Sequence, residues 1–179
     1  MLKANEAVLL VIDVQGKLAR LMHESEQLIH NIQITIQAAR ILNIPIIWAE
    51  QVPDKLGSTV AELATLLAPL QPIAKSSFSC VGNDEIKQKI IESGKKRIIV
   101  CGIEAHVCVF QTVRDLLSSS YCAYVLTDAV GSRTLENKQI GVRRMEKLGA
   151  VISSVEMTLF ELLEKAEGEQ FKAITKLLK

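Results

Sequence analysis

Three polar side chains of this sequence follow short apolar runs and together could activate a thiol. Asp13 comes after the first apolar run, Lys75 at the end of the third, and Cys108 at the start of a helical pattern after the fourth. A free thiol is mostly protonated at neutral pH, and a base together with a helix N-terminus can convert it to the nucleophilic thiolate. A carboxylate can accept that proton, and a neighbouring ammonium group can keep the carboxylate ionised and oriented.

Each of these residues also has a purely structural interpretation. Asp13 could end its strand by accepting backbone N–H bonds. Lys75 could be solvated, because lysine is rarely buried. Cys108, between Val107 and Val109, could be a small core residue. Their joint placement at strand ends favours function, because ligands of open parallel sheets bind beyond the carboxyl ends of the strands.

The elements that must position these residues alternate between apolar strands and amphipathic helices. Strands are predicted at 7–12, 44–49, 73–75, 97–101, 121–126 and 151–153. Helices are predicted at 25–43, 60–67, 84–93, 107–117 and 135–148, with two more within 158–179, and a loop is predicted at 50–58. This alternation predicts a three-layer αβα, Rossmann-like fold, with an open six-stranded, mainly parallel sheet in one domain over residues 1–179.

The composition excludes several classes of protein. Of 179 residues, 49% are hydrophobic and 23% charged, and the net charge is +1, which excludes intrinsic disorder and gives no reason to expect a nucleic acid partner. No apolar run approaches the ~20 residues that a bilayer requires, so no membrane partner is expected. The N-terminus lacks the pattern of a signal peptide, which predicts a cytoplasmic location where cysteines stay reduced.

The sequence offers no recognisable cofactor site. The three histidines, His23, His30 and His106, are scattered without the spacing of zinc ligands, so no metal is expected. A Gly-x-Gly-x-x-Gly motif is absent, and a dinucleotide is therefore not expected either.

The remaining cysteines do not share the position of Cys108. Cys101 and Cys122 lie in apolar strands and are predicted to be core residues, whereas Cys80 lies on a loop where it could be exposed. A thiol redox protein is a further interpretation, but the chain lacks the Cys-x-x-Cys pair that such chemistry favours.

Several segments resemble the isochorismatase-like cysteine hydrolase superfamily. The segments are 11–15, 75–79, 100–108 and 127–133, and the similarity extends over nearly the whole chain. Segments 50–59 and 171–179 resemble the isochorismatase-domain-containing branch, whose physiological substrates are generally unassigned. The resemblance implies a catalytic triad of Asp13, Lys75 and Cys108.

The same resemblance implies further features of the site. The peptide bond between Ile103 and Glu104 is expected to be cis, and the backbone N–H groups of Glu104 and Cys108 are expected to form an oxyanion hole. Gln15 matches a glutamine that supports the site by hydrogen bonding. Members of the superfamily usually form dimers or larger assemblies, so we expect a homo-oligomer.

Two differences from related branches narrow the function. The nicotinamidase branch binds a metal through an Asp-x-His motif and a further histidine after the second strand, where this chain has Glu-Gln-Val at 50–52. True isochorismatases lack the nucleophilic cysteine, whereas Cys108 is present. We therefore predict a metal-independent cysteine hydrolase of the amidase type, which cleaves a small amide or related acyl substrate through a thioester.

Pocket residues are expected nearby, and one alternative function stays open. Trp48, Phe78, the Glu104 side chain and His106 are the predicted pocket residues. The alternative is a catalytically idle scaffold or small-molecule-binding protein that retains the hydrolase fold. The intact Asp13, Lys75 and Cys108 set favours the enzyme, because drift would be expected to replace at least one of the three.

Overall fold

The computed structural model describes residues 2–179, and its six strands form one sheet in the order β3-β2-β1-β4-β5-β6, parallel throughout. The strands are β1 (Ala7–Ile12), β2 (Ile46–Gln51), β3 (Ile73–Lys75), β4 (Arg97–Ile103), β5 (Cys122–Gly131) and β6 (Val151–Ser153). The helices are α1 (Gly16–Arg20), α2 (Ser25–Ile41), α3 (Pro53–Leu56), α4 (Ala61–Leu67), α5 (Asp84–Glu92), α6 (Cys108–Ser118), α7 (Leu135–Lys147), α8 (Val155–Leu163) and α9 (Gly168–Leu177). The predicted αβα architecture is confirmed.

Strand β1 lies near the centre of the sheet, and all of its residues are buried. Leu9 and Val11 pack on one face of the sheet with α2, α4, α8 and α9, which we call the α2 face. Leu10 and Ile12 pack on the other face with α5, α6 and α7, which we call the α6 face. Because helices cover both faces, the strand is a continuous apolar run rather than an alternating one.

Strand β2 is two residues longer at its carboxyl end than predicted. Glu50 and Gln51 belong to the strand, although both side chains are polar and buried. The Glu50 carboxylate accepts hydrogen bonds from the backbone N–H of Thr59 at 2.6 Å and from its hydroxyl at 2.7 Å. These bonds offset the cost of burying the carboxylate. The following predicted loop also contains the one-turn helix α3.

Strand β5 also extends past its predicted end at Leu126, as far as Gly131. Its register against β4 shifts between Val100 and Gly102, after which Gly131 pairs with Ile103. The Gly131 carbonyl then accepts a hydrogen bond from the N–H of Ala105 at 2.7 Å. The longer strand therefore holds the segment that leads from β4 to Cys108.

The cysteines differ in their burial. Cys101 is fully buried, as predicted, whereas Cys122 is half-buried because it begins β5 at the amino edge of the sheet. Cys80, whose exposure the sequence left open, is fully buried on the α6 face. Within residues 2–179, no helix has the length and apolar character needed to cross a membrane.

Gly102 of β4 lies directly against the backbone of β1. This residue has φ +123°, and a Cβ placed on it would lie 2.1 Å from the carbonyl oxygen of Ile12. Only glycine fits there without separating the strands. Ile12 immediately precedes Asp13, and Gly102 lies two residues before Glu104. The contact between them therefore sets the distance between the ends of β1 and β4.

Replacing Gly102 with alanine should destabilise the protein strongly. The added Cβ would clash with backbone that cannot move without breaking the sheet, so we expect the free energy of unfolding to fall by about 3 kcal/mol or more. Gly94→Ala is the matched control, because Gly94 also has a left-handed φ of +63° but a Cβ there meets no atom within 4 Å. It should cost about 1–2 kcal/mol. Equal losses in urea denaturation would contradict the steric explanation.

Candidate active site

The side chain of Asp13 is turned toward the α6 face by an unusual backbone conformation. Ile12 already faces α6, and strict alternation would point the next residue toward α2. Asp13 instead has φ +54°, in the left-handed region that aspartate adopts more readily than most residues. Its carboxylate therefore reaches Lys75, whose strand neighbour Ile73 also packs on the α6 face.

Lys75 forms a buried ion pair with Asp13. Its Nζ lies 2.7 Å from Asp13 Oδ2, and the lysine side chain has no solvent exposure. The same ammonium donates to Gln51 Oε1 at 2.5 Å and to the carbonyls of Ser77 and Phe78 at 3.2 and 3.1 Å. The structure therefore brings the two residues together and surrounds the buried cation with four oxygen atoms, so the solvated alternative for Lys75 does not apply.

Cys108 completes the cluster as the first residue of α6. The peptide bond between Ile103 and Glu104 is cis, and the Glu104 carbonyl accepts hydrogen bonds from the N–H groups of Val107 at 3.0 Å and Val109 at 3.2 Å. The N–H of Cys108 lies between these two donors, at a helix start where backbone donors lack an intrahelical acceptor. That N–H and the Cys108 thiol are therefore presented together at the strand ends.

Burial dominates the protonation of the cluster. Burial raises the pKa of the Asp13 carboxyl above its ordinary value of 3.8, and the charge and hydrogen bond of Lys75 oppose this shift without cancelling it. Burial also raises the pKa of the Cys108 thiol, and the negative charge of Asp13 adds to that shift. The Cys108 thiol is therefore neutral at rest, and the thiolate forms only when its proton moves to a base.

One oxygen of Asp13 is open to receive that proton. Asp13 Oδ1 is buried and takes no well-formed hydrogen bond from any residue in 2–179. The Cys108 thiol is close enough to lower the pKa of Asp13. Its sulfur, however, is aligned with Gln51 Oε1 at 4.0 Å rather than with Oδ1.

Gln51 is a site residue that the sequence interpretation missed. Its Oε1 accepts from Lys75 and faces the Cys108 sulfur, while its Nε2 donates to the Ser76 carbonyl at 2.9 Å. The predicted end of β2 at Ala49 placed Gln51 in a loop. Gln51 is the polar residue that ends β2, as Lys75 ends β3. With the end of β2 predicted at Gln51, the same criterion would have identified it as a site residue.

Gln15 holds Gln51 in position through the backbone. Gln15 Oε1 accepts from the Gln51 N–H at 2.6 Å, and its Nε2 donates to the carbonyls of Gln51 at 3.1 Å and Gly57 at 2.6 Å. Gln15 is fully buried, so its amide satisfies these groups where water cannot. It supports the site without touching Lys75 or the thiol.

Of the predicted pocket residues Trp48 and Phe78, the structure places Trp48 away from the thiol and Phe78 beside Lys75. The Trp48 indole N–H donates to Thr59 Oγ1 at 2.8 Å, and the ring packs on the α2 face, opposite Cys108. Its neighbours Ile47 and Ala49 are the residues of β2 that face α6, so Trp48 does not line a pocket at the thiol. Phe78 accepts a hydrogen bond from Lys75 through its carbonyl, and the residue is 52% exposed.

Glu104 and His106 connect the loop after β4 to the loop after β5. The Glu104 carboxylate accepts from the Arg133 guanidinium at 3.0 Å and from its backbone N–H at 3.3 Å. His106 Nδ1 lies 3.0 Å from the hydroxyl of the buried Ser132. Both side chains therefore brace the segment that carries the Cys108 N–H.

A cavity of about 370 Å³ lies away from this cluster, at the amino ends of β4 and β5. Its polar groups are engaged with each other, since Arg97 pairs with Glu6 at 2.8 Å and Lys95 donates to the Asn5 carbonyl at 2.5 Å. The candidate active site is therefore the cluster at the strand carboxyl ends. Among residues 2–179, no group of three or more histidine, cysteine, aspartate or glutamate side chains is arranged to hold a metal ion.

Fold and site together define an αβα protein with a thiol, a carboxylate and an ammonium group buried at the carboxyl ends of a parallel sheet. Residues 7–157 match the family model of the isochorismatase domain. The chain belongs to the isochorismatase-like hydrolase family, and the resemblance stated from its motifs is confirmed.

Two relatives align with nearly the whole of this chain. The secreted isochorismatase effector Isc1 of Phytophthora sojae is 37% identical, over 98% of this chain and 85% of its own length. Isochorismatase domain-containing protein 2 of Danio rerio is 34% identical, over 99% and 89% respectively. The sequence similarity therefore spans the site as well as the core.

Solved structures share the fold closely. The structure described as the MAR1 ribonuclease of Caenorhabditis elegans is 35% identical with a TM-score of 0.92, covering 99% of this chain and 91% of its own. YcaC from Pseudomonas aeruginosa, solved with hexane-2,5-diol and covalent acrylamide, is 25% identical with a TM-score of 0.92, covering 98% and 90%. Escherichia coli YcaC, described as an octameric hydrolase of unknown specificity, has a TM-score of 0.93 at 22% identity, covering 98% and 89%.

Replacing Lys75 with methionine should leave Asp13 buried without its partner. Breaking a buried ion pair in this way costs about 3–5 kcal/mol, so the free energy of unfolding at about pH 8 should fall by that amount. Without Lys75 the raised pKa of Asp13 rises further, and the folded state binds a proton that the unfolded chain does not. The loss should therefore shrink as the pH falls through that raised pKa, which urea denaturation at several pH values would measure.

The double variant Asp13→Asn/Lys75→Met is the control for this experiment. It removes both charges, so it should recover most of the lost stability and show little of the pH dependence of the single variant. A single and a double variant with the same stability at every pH would contradict the proposed pairing.

Proposed function

We propose that this chain is a cysteine hydrolase that cleaves a small amide or related acyl compound through a thioester, without a metal. The observation that carries the proposal is the buried Asp13–Lys75 pair, with Asp13 Oδ1 unpartnered among the described residues beside the Cys108 thiol. A base, a nucleophile and a cation are the groups that thiol-dependent acyl transfer requires. The site offers one thiol, one carboxylate, one carboxamide and an ammonium group, and no metal-ligating group of histidine, cysteine, aspartate and glutamate side chains is found among residues 2–179.

The first half of the reaction forms the acyl-enzyme. As the Cys108 sulfur attacks the carbonyl carbon of the substrate, its proton moves to Asp13 Oδ1. The carbonyl oxygen becomes negatively charged and accepts hydrogen bonds from the backbone N–H groups of Glu104 and Cys108. One such donor typically lowers the barrier by about 3–4 kcal/mol. The intermediate then collapses, the proton passes from Asp13 to the leaving nitrogen, and the amine departs from the thioester.

The second half regenerates the enzyme with water. Asp13 accepts a proton from a water molecule that attacks the thioester carbonyl, and the same two N–H groups stabilise the oxyanion. Collapse releases the carboxylic acid, and Cys108 recovers a proton from Asp13. Throughout, Lys75 keeps the carboxylate oriented, and Gln51 keeps Lys75 and the thiol on the same side of the sheet.

One structural relative supports a nucleophile in this fold. Pseudomonas aeruginosa YcaC was solved with covalent acrylamide, an electrophile that bonds to nucleophilic groups. On that basis we expect Cys108 to form the corresponding adduct in this chain.

Phosphodiester cleavage is a second candidate, because the Caenorhabditis elegans relative is described as a ribonuclease. Such a reaction concentrates negative charge on phosphate oxygens and depends on cations free to contact them. The Lys75 ammonium already contacts four protein oxygens, and Arg133 is paired with Glu104. These contacts favour the acyl substrate over RNA.

We also propose that the chain forms a homo-oligomer. Large apolar side chains are exposed on several elements, with Leu21 and Met157 each 63% exposed. Escherichia coli YcaC, which shares the fold, is described as octameric. Light scattering of the purified protein should give a mass of at least two chains, and a monomer at micromolar concentration would contradict this.

The cytoplasmic location stays a prediction, since one relative is named as secreted.

Replacing Cys108 with alanine should abolish turnover of whichever amide the wild type hydrolyses. A panel of small primary amides, carbamoyl compounds and thioesters, with single-stranded RNA as a separate arm, would be monitored by product and intact mass. Cys122→Ala is the matched control, because that thiol is remote from Asp13 and should leave activity unchanged. Equal turnover by wild type and Cys108→Ala would exclude the mechanism, and RNA cleavage lost with Cys108 would favour the second candidate.

Alkylation separates the enzyme from an idle scaffold without a known substrate. Acrylamide should label Cys108 selectively in the wild type, and Asp13→Asn should slow this by at least about 100-fold because the base is removed. Peptide mapping after timed exposure provides the measurement. Labelling of Cys108 at equal rates in both proteins would show that Asp13 does not activate the thiol, as expected of a scaffold.

A further inference from the structure

Cys80 is a buried thiol that the proposed hydrolysis does not use. It lies just beyond the loop whose carbonyls at Ser77 and Phe78 bind Lys75, and it has no solvent exposure. Burial raises its pKa to about 12, so it is inert toward solvent reagents. Cys108, in the same buried cluster on the α6 face, is nevertheless a thiol with which it can react.

A hydrogen bond places the backbone of Cys80 against α6, at a residue about one turn after Cys108. The backbone N–H of Cys80 donates to Thr112 Oγ1 at 2.9 Å. Thr112 is four residues after Cys108, and residues with this spacing lie on the same face of a helix with Cβ atoms about 5–6 Å apart. Cys80 and Cys108 also belong to the same buried cluster on the α6 face.

The two thiols share one electrostatic environment. The charges of Asp13 and Lys75 both act on the pKa of Cys80, and a charge on Cys80 would raise the pKa of Cys108. In contrast, Cys101 packs on the α2 face, on the other side of the sheet, and the half-buried Cys122 lies at its amino edge. Of the four thiols among the described residues, Cys80 is the one placed to meet Cys108.

We propose that Cys80 and Cys108 form an oxidisable dithiol site, in which Cys80 captures the peroxide-oxidised form of Cys108 as an intramolecular disulfide. A disulfide requires Cα atoms about 4.4–6.8 Å apart, which is comparable to one helical turn. The proposal rests on the proposed function only in that Cys108 is the reactive thiol. Its consequence is reversible protection of the nucleophile.

The chemistry balances with hydrogen peroxide as the oxidant. The Cys108 sulfur attacks one peroxide oxygen, the O–O bond breaks, and Asp13 transfers the thiol proton to the departing hydroxide, which leaves as water. Cys108 is now a sulfenic acid. The Cys80 sulfur attacks that sulfur, the S–O bond breaks, and the Cys80 proton joins the leaving hydroxide as a second water. A dithiol reductant restores both thiols.

Mass spectrometry of the peroxide-treated protein tests this directly. The wild type should lose about 2 Da, yield a Cys80–Cys108 linked peptide without reduction, and return to its original mass with dithiothreitol. Cys80→Ala, or Cys80→Ser if the alanine variant does not unfold cooperatively, should instead accumulate oxygen additions at Cys108 that dithiothreitol only partly reverses. Cys101→Ala is the matched control and should keep the linked peptide. Cys108→Ala should leave Cys80 unmodified.

The comparison of the wild type with Cys80→Ala decides the outcome. Oxygen additions at Cys108 in the wild type at the same rate as in Cys80→Ala, with no linked peptide, would overturn the proposal. A linkage of Cys108 to Cys101 or Cys122 would do the same. Because the readout is mass, the result is independent of whether any amide is hydrolysed: a linked peptide with no amidase activity would support this inference and contradict the proposed function.

Discussion

The ion pair between Asp13 and Lys75 is the interaction on which the rest of the site depends. Removing two charges from water costs several kcal/mol for each ion, which mutual attraction and additional hydrogen bonds must offset. Here the ammonium contacts the carboxylate, the Gln51 amide and two loop carbonyls. These contacts join the ends of β1, β2 and β3 into one unit. They also keep a carboxylate available in a place where burial alone would favour its protonated form.

The sequence predicted the central strands well because their physical signal is simple. Strands covered on both faces are continuous apolar runs, so Asp13 stands out as the polar residue that follows β1. Lys75 ends the short edge strand β3, whose other two residues are also apolar. Gln51 was missed because Glu50 and Gln51 make the end of β2 look like a loop. Their burial depends on partners such as Thr59 and Gln15, which are distant in sequence. Local pattern carries no information about such contacts.

Side-chain direction was equally hard to predict. Trp48 lies two residues before Glu50 on the same face of β2, so both join Thr59 on the α2 side rather than the thiol. Asp13 does not follow the alternation of side-chain direction along β1, because its backbone has a left-handed conformation. The cis bond and the oxyanion hole were expected only from the family resemblance. Relatives named as a ribonuclease, an effector and a hydrolase of unknown specificity illustrate that this fold does not set one substrate.

The cation of the site is attached to the least supported strand of the sheet. Strand β3 has three residues, lies at one edge and pairs only with β2 within the described residues. Short edge elements open at a lower free energy than the centre of a sheet, and their amide protons exchange sooner. Transient detachment of β3 would carry Lys75 away while β1, β4 and β5 stay folded. The time for which the Asp13–Lys75 pair stays intact would then be set by the local opening of this edge and not by the unfolding of the whole protein.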